Sequence, residues 1–86
     1  MLLLGRKNTL NTPRLGLAVA KKQIKRAVAR NRFKRLTRES FRQHLSRLTN
    51  IDIVVVARAG AEKKTNKELF DIFAKNWQIL INKCEK

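Results

Sequence analysis

The sequence predicts a small α+β domain, a short sheet with two helices packed on one side of it. Three observations predict this class. The run Ile51 to Ala57 is apolar apart from Asp52 and mostly β-branched, and reads as a strand. Segments on both sides of it place apolar residues at steps of three and four, the period of an amphipathic helix. The order strand, helix, strand, helix then leaves two helices to cover one sheet. At 86 residues the chain makes one domain, 1–86. Its core is thin, because a chain of this size buries only about 60–65% of the surface it exposes unfolded.

Met1 to Leu4 reads as a short buried strand, or the remaining half of a longer one. Asn8 to Pro13 is a turn, punctuated by Asn, Thr and Pro between apolar stretches. Arg14 to Ala20 is a second strand, with Leu15, Leu17 and Val19 on one face and the small Gly16, Ala18 and Ala20 on the other. The bulky face is expected to pack a core, and the small face to let a helix or a ligand strand come close. A helix begins between Gln23 and Ala27. Its apolar and neutral side runs Phe33, Leu36, Thr37, Ser40, Phe41, His44, Leu45 and Leu48. Asn31, Arg35, Arg38 and Arg42 line the opposite side, with Arg32 and Lys34 flanking them. Ile51 to Ala57 reads as a central strand buried on both faces. Arg58-Ala59-Gly60 ends it. Thr65 and Glu68 have capping-box spacing, and open a helix that places Phe70, Phe73, Ala74, Trp77, Leu80, Ile81 and Cys84 on one side.

Charge is the strongest functional signal. From Arg14 to Arg42 there are eleven Lys and Arg residues and one acid, Glu39, so this stretch carries +10 of the formal +15. A folded domain with that concentration needs a polyanion to offset it, and nucleic acid is the obvious one, because phosphate contacts release condensed counterions. Arg outnumbers Lys within the helix, which suits bidentate phosphate recognition. Asn31 disfavours a helix interior slightly, but its amide can donate and accept toward a base or ribose. Composition does not separate DNA from RNA. No helix-turn-helix spacing or dimerisation heptad accompanies the basic helix, and on A-form RNA such a helix would read backbone shape at junctions and loops.

The residues offer little for catalysis. The acids Glu39, Asp52, Glu62, Glu68, Asp71 and Glu85 form no pair with the spacing that general acid–base work favours. His44, the one histidine, falls on the core side of its helix. Cys84 has no second Cys and no nearby His to make a metal site or nucleophile, and as the single cysteine it permits no internal disulfide. Gly5, Gly16 and Gly60 stand alone, so there is no glycine-rich phosphate loop. Phe70, Phe73 and Trp77 sit at helical spacing and read as core rather than as a base-stacking platform. No apolar run approaches the roughly 20 residues of a membrane span. Two rival readings of the charge are a general RNA-binding or ribosome-associated protein and a basic helix lying on a membrane surface, whose apolar side would then be free.

The residues resemble one family, the protein subunit of bacterial ribonuclease P. The likeness starts at Arg14-Leu15-Gly16-Leu17 and Val19-Ala20-Lys21-Lys22. It is densest over Ala27-Val28-Ala29-Arg30-Asn31-Arg32-Phe33-Lys34-Arg35-Leu36 and Arg38-Glu39-Ser40-Phe41-Arg42, and continues through Asp52 to Arg58. The resemblance implies a cytoplasmic ribonucleoprotein enzyme that removes the 5′ leader from precursor tRNA. Its catalytic RNA subunit would hold the Mg²⁺ ions and perform hydrolysis, with one protein per RNA and no catalytic residue on the protein. By residue match, Arg30, Asn31, Arg32, Lys34, Arg35, Arg38 and Arg42 are the expected contacts to the RNA subunit. Lys21, Lys22 and Arg58 are expected to add RNA or leader contacts. The resemblance also implies a left-handed β-α-β crossover, against the usual right-handed rule. Family members begin with a basic segment, an aromatic-bearing helix and a first strand that do not precede Met1 here. Three explanations stay open, an internal start taken for the true one, a fragment and a naturally shortened form; the first is the favoured expectation, and leader binding is the function most exposed to the difference.

Overall fold

In a computed structural model the chain runs β1 (Leu2–Lys7), β2 (Arg14–Ala18), α1 (Ala27–Gln43), β3 (Ile51–Val56) and α2 (Asn66–Cys84). The structure describes residues 1–10, 12–48 and 50–84, the Cys84 side chain excepted, so the reading of Cys84 as a packed residue lies outside the described residues, as does Asn11 of the predicted turn. The rest of that turn is built by Asn8, whose Oδ1 accepts the Leu10 amide at 2.9 Å. The strand order is β1-β3-β2. β3 is antiparallel to β1, with Leu4 opposite Val54, and parallel to β2, with Gly16 opposite Val54. β2, α1 and β3 therefore form a crossover between adjacent parallel strands, the unit that the resemblance implies.

Both helices cover one face of the sheet. Ile51, Ile53 and Val55 point into that face and meet Phe33 and Leu36 of α1 and Leu69, Phe73, Trp77 and Leu80 of α2. Gly5 lets α2 lie against β1, because a Cβ there would stand 2.7 Å from the Leu80 Cδ2. Trp77 joins the helices. Its ring stacks on Phe73 and meets Phe41 edge-on, both at 6.0 Å, and its Nε1 donates to Ser40 Oγ at 2.9 Å. The indole N–H and the hydroxyl thus satisfy each other inside the core. The Thr37 hydroxyl donates back to the Phe33 carbonyl at 2.7 Å, which allows a second hydroxyl to be buried on the same side of α1. The predicted capping box closes as expected. Thr65 Oγ1 accepts the Glu68 amide, and Glu68 Oε1 accepts the Thr65 amide, which holds the Glu68 carboxyl below its usual range.

Several sequence expectations need correction. β3 is buried on one face only, since Val54 is 41% exposed while its chain neighbours Ile53 and Val55 are sealed. β1 is an edge strand reaching Lys7, with Leu3 half-buried and Leu4 55% exposed. β2 ends at Ala18, because the Ala20 carbonyl turns to accept the Gln23 and Ile24 amides. Its small face meets no helix. α1 ends at Gln43 and passes into a 3-10 turn, Leu45–Arg47, beside which His44 is half-buried and donates Nδ1–H to the Ser40 carbonyl. Leu69, absent from the predicted side of α2, is fully buried, while Phe70 is partly buried at the margin.

Candidate nucleic-acid interface

α1 is held from below and open above. Phe33, Leu36, Thr37 and Ser40 are buried on its underside. Asn31, Arg35, Arg38 and Arg42 are exposed on the opposite side, and Lys34 is half-exposed beside them. A buried stripe on one face forces the residues half a helical circumference away into solvent. Among the described residues the carboxylate paired with this ridge is Glu39, which stands 4.0 Å from the Arg35 Nε, too far for a strong pair and exposed on both sides. The ridge therefore keeps its positive charge.

The two outer residues of Arg30-Asn31-Arg32 are placed differently. Arg30 Nη1 donates to the Ile24 carbonyl at 2.9 Å and to the Lys25 carbonyl at 2.8 Å. Arg32 donates from Nε and Nη2 to Asn66 Oδ1, at 2.9 and 2.7 Å, and from Nη2 to the Lys64 carbonyl at 2.7 Å. Asn31 between them is exposed.

Lys21, Lys22 and Arg58 are also exposed. They follow the carboxyl ends of the parallel strands β2 and β3, where an open groove of about 730 Å³ lies between Ala18, Ala20, Gln23, Val56, Ala57 and Arg58. Ligands in open α/β sheets favour this end of parallel strands. Gln23 was not singled out by sequence reasoning. The signal for the groove itself was the run of alternate small residues, Gly16, Ala18 and Ala20, which leaves the sheet without bulk on that side.

The sequence matches the ribonuclease P family model over residues 1–81. The chain belongs to the ribonuclease P protein family. It is 54% identical over 84 residues to the ribonuclease P protein component of Pseudoalteromonas atlantica, covering 98% of this chain and 70% of that relative. It is 56% identical over 78 residues to the component from Vibrio cholerae serotype O1, covering 91% of this chain and 66% of that one. Among solved structures, it superposes on the RNase P protein of Staphylococcus aureus with a TM-score of 0.81 at 33% identity, covering 90% of this chain and 71% of that one. The RNase P protein of Thermotoga maritima gives 0.71 at 31% identity, covering 93% and 74%.

For a ribonuclease P family chain, the outer sheet face extends beyond the small side of β2 that sequence reasoning singled out. Leu2, Leu4, Gly16, Ala18, Val54 and Val56 share it, and Arg14 and Asp52 close one end. Arg14 binds Asp52 as a fork, Nε to Oδ1 at 2.7 Å and Nη2 to Oδ2 at 2.6 Å, while the Asn8 amide donates to the same Oδ1. The Arg14 fork and the Asn8 amide hold the Asp52 carboxyl down at about 2. No helix of the described residues is long and apolar enough to cross a membrane. The apolar side of α1 is packed, which disfavours the membrane-surface reading.

Proposed function

We propose that this chain is the protein subunit of ribonuclease P, binding the catalytic RNA and assisting removal of the 5′ leader from precursor tRNA. The observation that carries the reading is the ridge of α1: Arg35, Arg38 and Arg42 stand exposed on a helix whose opposite side is locked into the core. Asn31 and Lys34 lie on the same side and join the contact surface. Lys21, Lys22 and Arg58 extend it to the groove, where leader or RNA phosphates can be met. Family membership supports the assignment.

Hydrolysis is assigned to the RNA subunit, with Mg²⁺ held mainly there. Asp52 is taken by Arg14 and Asn8, Glu68 by Thr65, and no group of three ligating side chains comes together among the described residues. The protein's contribution is charge compensation and positioning. One protein per RNA, acting in the cytoplasm, is the expected arrangement.

The test is reconstitution with the catalytic RNA and precursor tRNA at low Mg²⁺. Cleavage faster than RNA alone is expected, and cleavage no faster than RNA alone rejects the proposal. Binding to the RNA is expected to weaken roughly 10³–10⁵-fold between about 50 and 200 mM salt if six to ten phosphates are contacted. A general RNA-binding protein would instead bind unrelated structured RNAs equally well in competition.

A further inference from the structure

We infer that Arg30 and Arg32 are positioning residues, and that Asn31 alone of the three meets RNA directly. This rests on the RNA-binding reading above. A guanidinium offers its N–H groups in a rigid planar fork. Arg32 turns two nitrogens of its fork, Nε and Nη2, onto acceptors of the same chain, and Arg30 turns one, Nη1, onto two carbonyls.

Arg30 ties the segment ahead of α1 to the helix. The N-cap residue of α1, Arg26, makes no side-chain capping bond, and the first turn carries no acid. The segment leading into the helix carries Lys21, Lys22, Lys25 and Arg26, all exposed, and its local bonds are the Gln23 and Ile24 amides on the Ala20 carbonyl. These cations repel one another and the ridge beside them. Ile24, fully buried, plugs the segment into the core, and Arg30 grips the carbonyls of Ile24 and Lys25. The basic loop is thereby set against the start of the ridge.

Arg32 leaves the helix on the other flank, because residues two apart are about 200° apart around an α-helix. It grips Asn66, the first residue of α2, and the Lys64 carbonyl. Its three bonds fix the α2 end of the molecule to α1. Each arginine thus holds a neighbouring segment against the ridge, and the cost of ordering these surfaces is met in folding rather than on binding.

Asn66→Ala tests Arg32 without changing any charge. If Arg32 acts by position, affinity for the catalytic RNA of ribonuclease P falls roughly tenfold, the scale of a charge-assisted hydrogen bond. If Arg32 meets phosphate itself, freeing it leaves binding equal or tighter, and the inference fails. Arg30→Ala tests the other flank. Position predicts that the slope of log affinity against log salt falls by more than the roughly 0.9 of one phosphate contact. It also predicts faster hydrogen exchange at the Gln23 and Ile24 amides in the free protein, both of which bond to the Ala20 carbonyl. A slope change of one contact with unchanged exchange overturns it. Arg35→Ala with Arg38→Ala is the control. If that double variant binds like the parent, the RNA-binding reading fails first, whereas if only that variant weakens, the positioning inference fails alone.

Discussion

The outward side of α1 and the outer face of the sheet are both open to solvent, and for opposite reasons. On α1, exposure follows from charge. Arg35, Arg38 and Arg42 have no way to be buried unpaired, so once Phe33 and Leu36 enter the core the ridge must face water. On the sheet, exposure follows from topology. Val54 and Val56 are as apolar as Ile53 and Val55, yet both helices pack on the other side and leave them open to different degrees. The difference teaches that a polar surface is specified residue by residue, whereas an apolar surface is exposed or covered according to what else packs.

The sharpest way to break the comparison is within one turn of α1. Leu36→Ala is expected to cost about 2–5 kcal/mol, since the side chain is almost fully buried. Arg35→Ala, one residue earlier, should change stability by no more than about 0.5 kcal/mol, while lowering RNA affinity when combined with Arg38→Ala. Urea denaturation and filter binding together would separate the two, and equal losses of stability would show that the ridge is not free. The same contrast in β3 is smaller. Val55→Thr should destabilise by about 1–3 kcal/mol because it places a hydroxyl in the core. Val54→Thr, at 41% exposure, should stay within about 0.5 kcal/mol. A matching loss at Val54 would mean that its face is covered in solution.

The smallest effect concerns the polar end of the sheet. Asp52 titrates at about 2 rather than 3.8, so its contribution to stability is complete above the ordinary carboxyl value and is lost as pH falls from about 4 toward 2. Asp52→Asn should flatten the acid limb of the unfolding midpoint in that window and leave its shape near neutrality unchanged. A variant whose acid limb matches the parent would show that the Arg14 fork does not persist in solution.

Much of the candidate site was legible from spacing. Arg35, Arg38 and Arg42 lie where the helical period puts them, and Thr65 with Glu68 caps α2 as their separation predicts. Period alone reports direction from an axis, so it placed Arg30 and Arg32 near the ridge but could not reveal their partners. Ile24, Lys25, Lys64 and Asn66 supply those partners, and the last two are more than thirty positions away from Arg32.

The residues by themselves determined the α+β class, the cationic ridge, the capping of α2 and the family, because each is written in local composition and period. Which face of β3 stays open, where β2 turns, and which arginines are held within the chain were decided only by the tertiary structure. Those outcomes depend on contacts between segments far apart in sequence, and an apolar or cationic side chain carries no local mark of the neighbour it will meet.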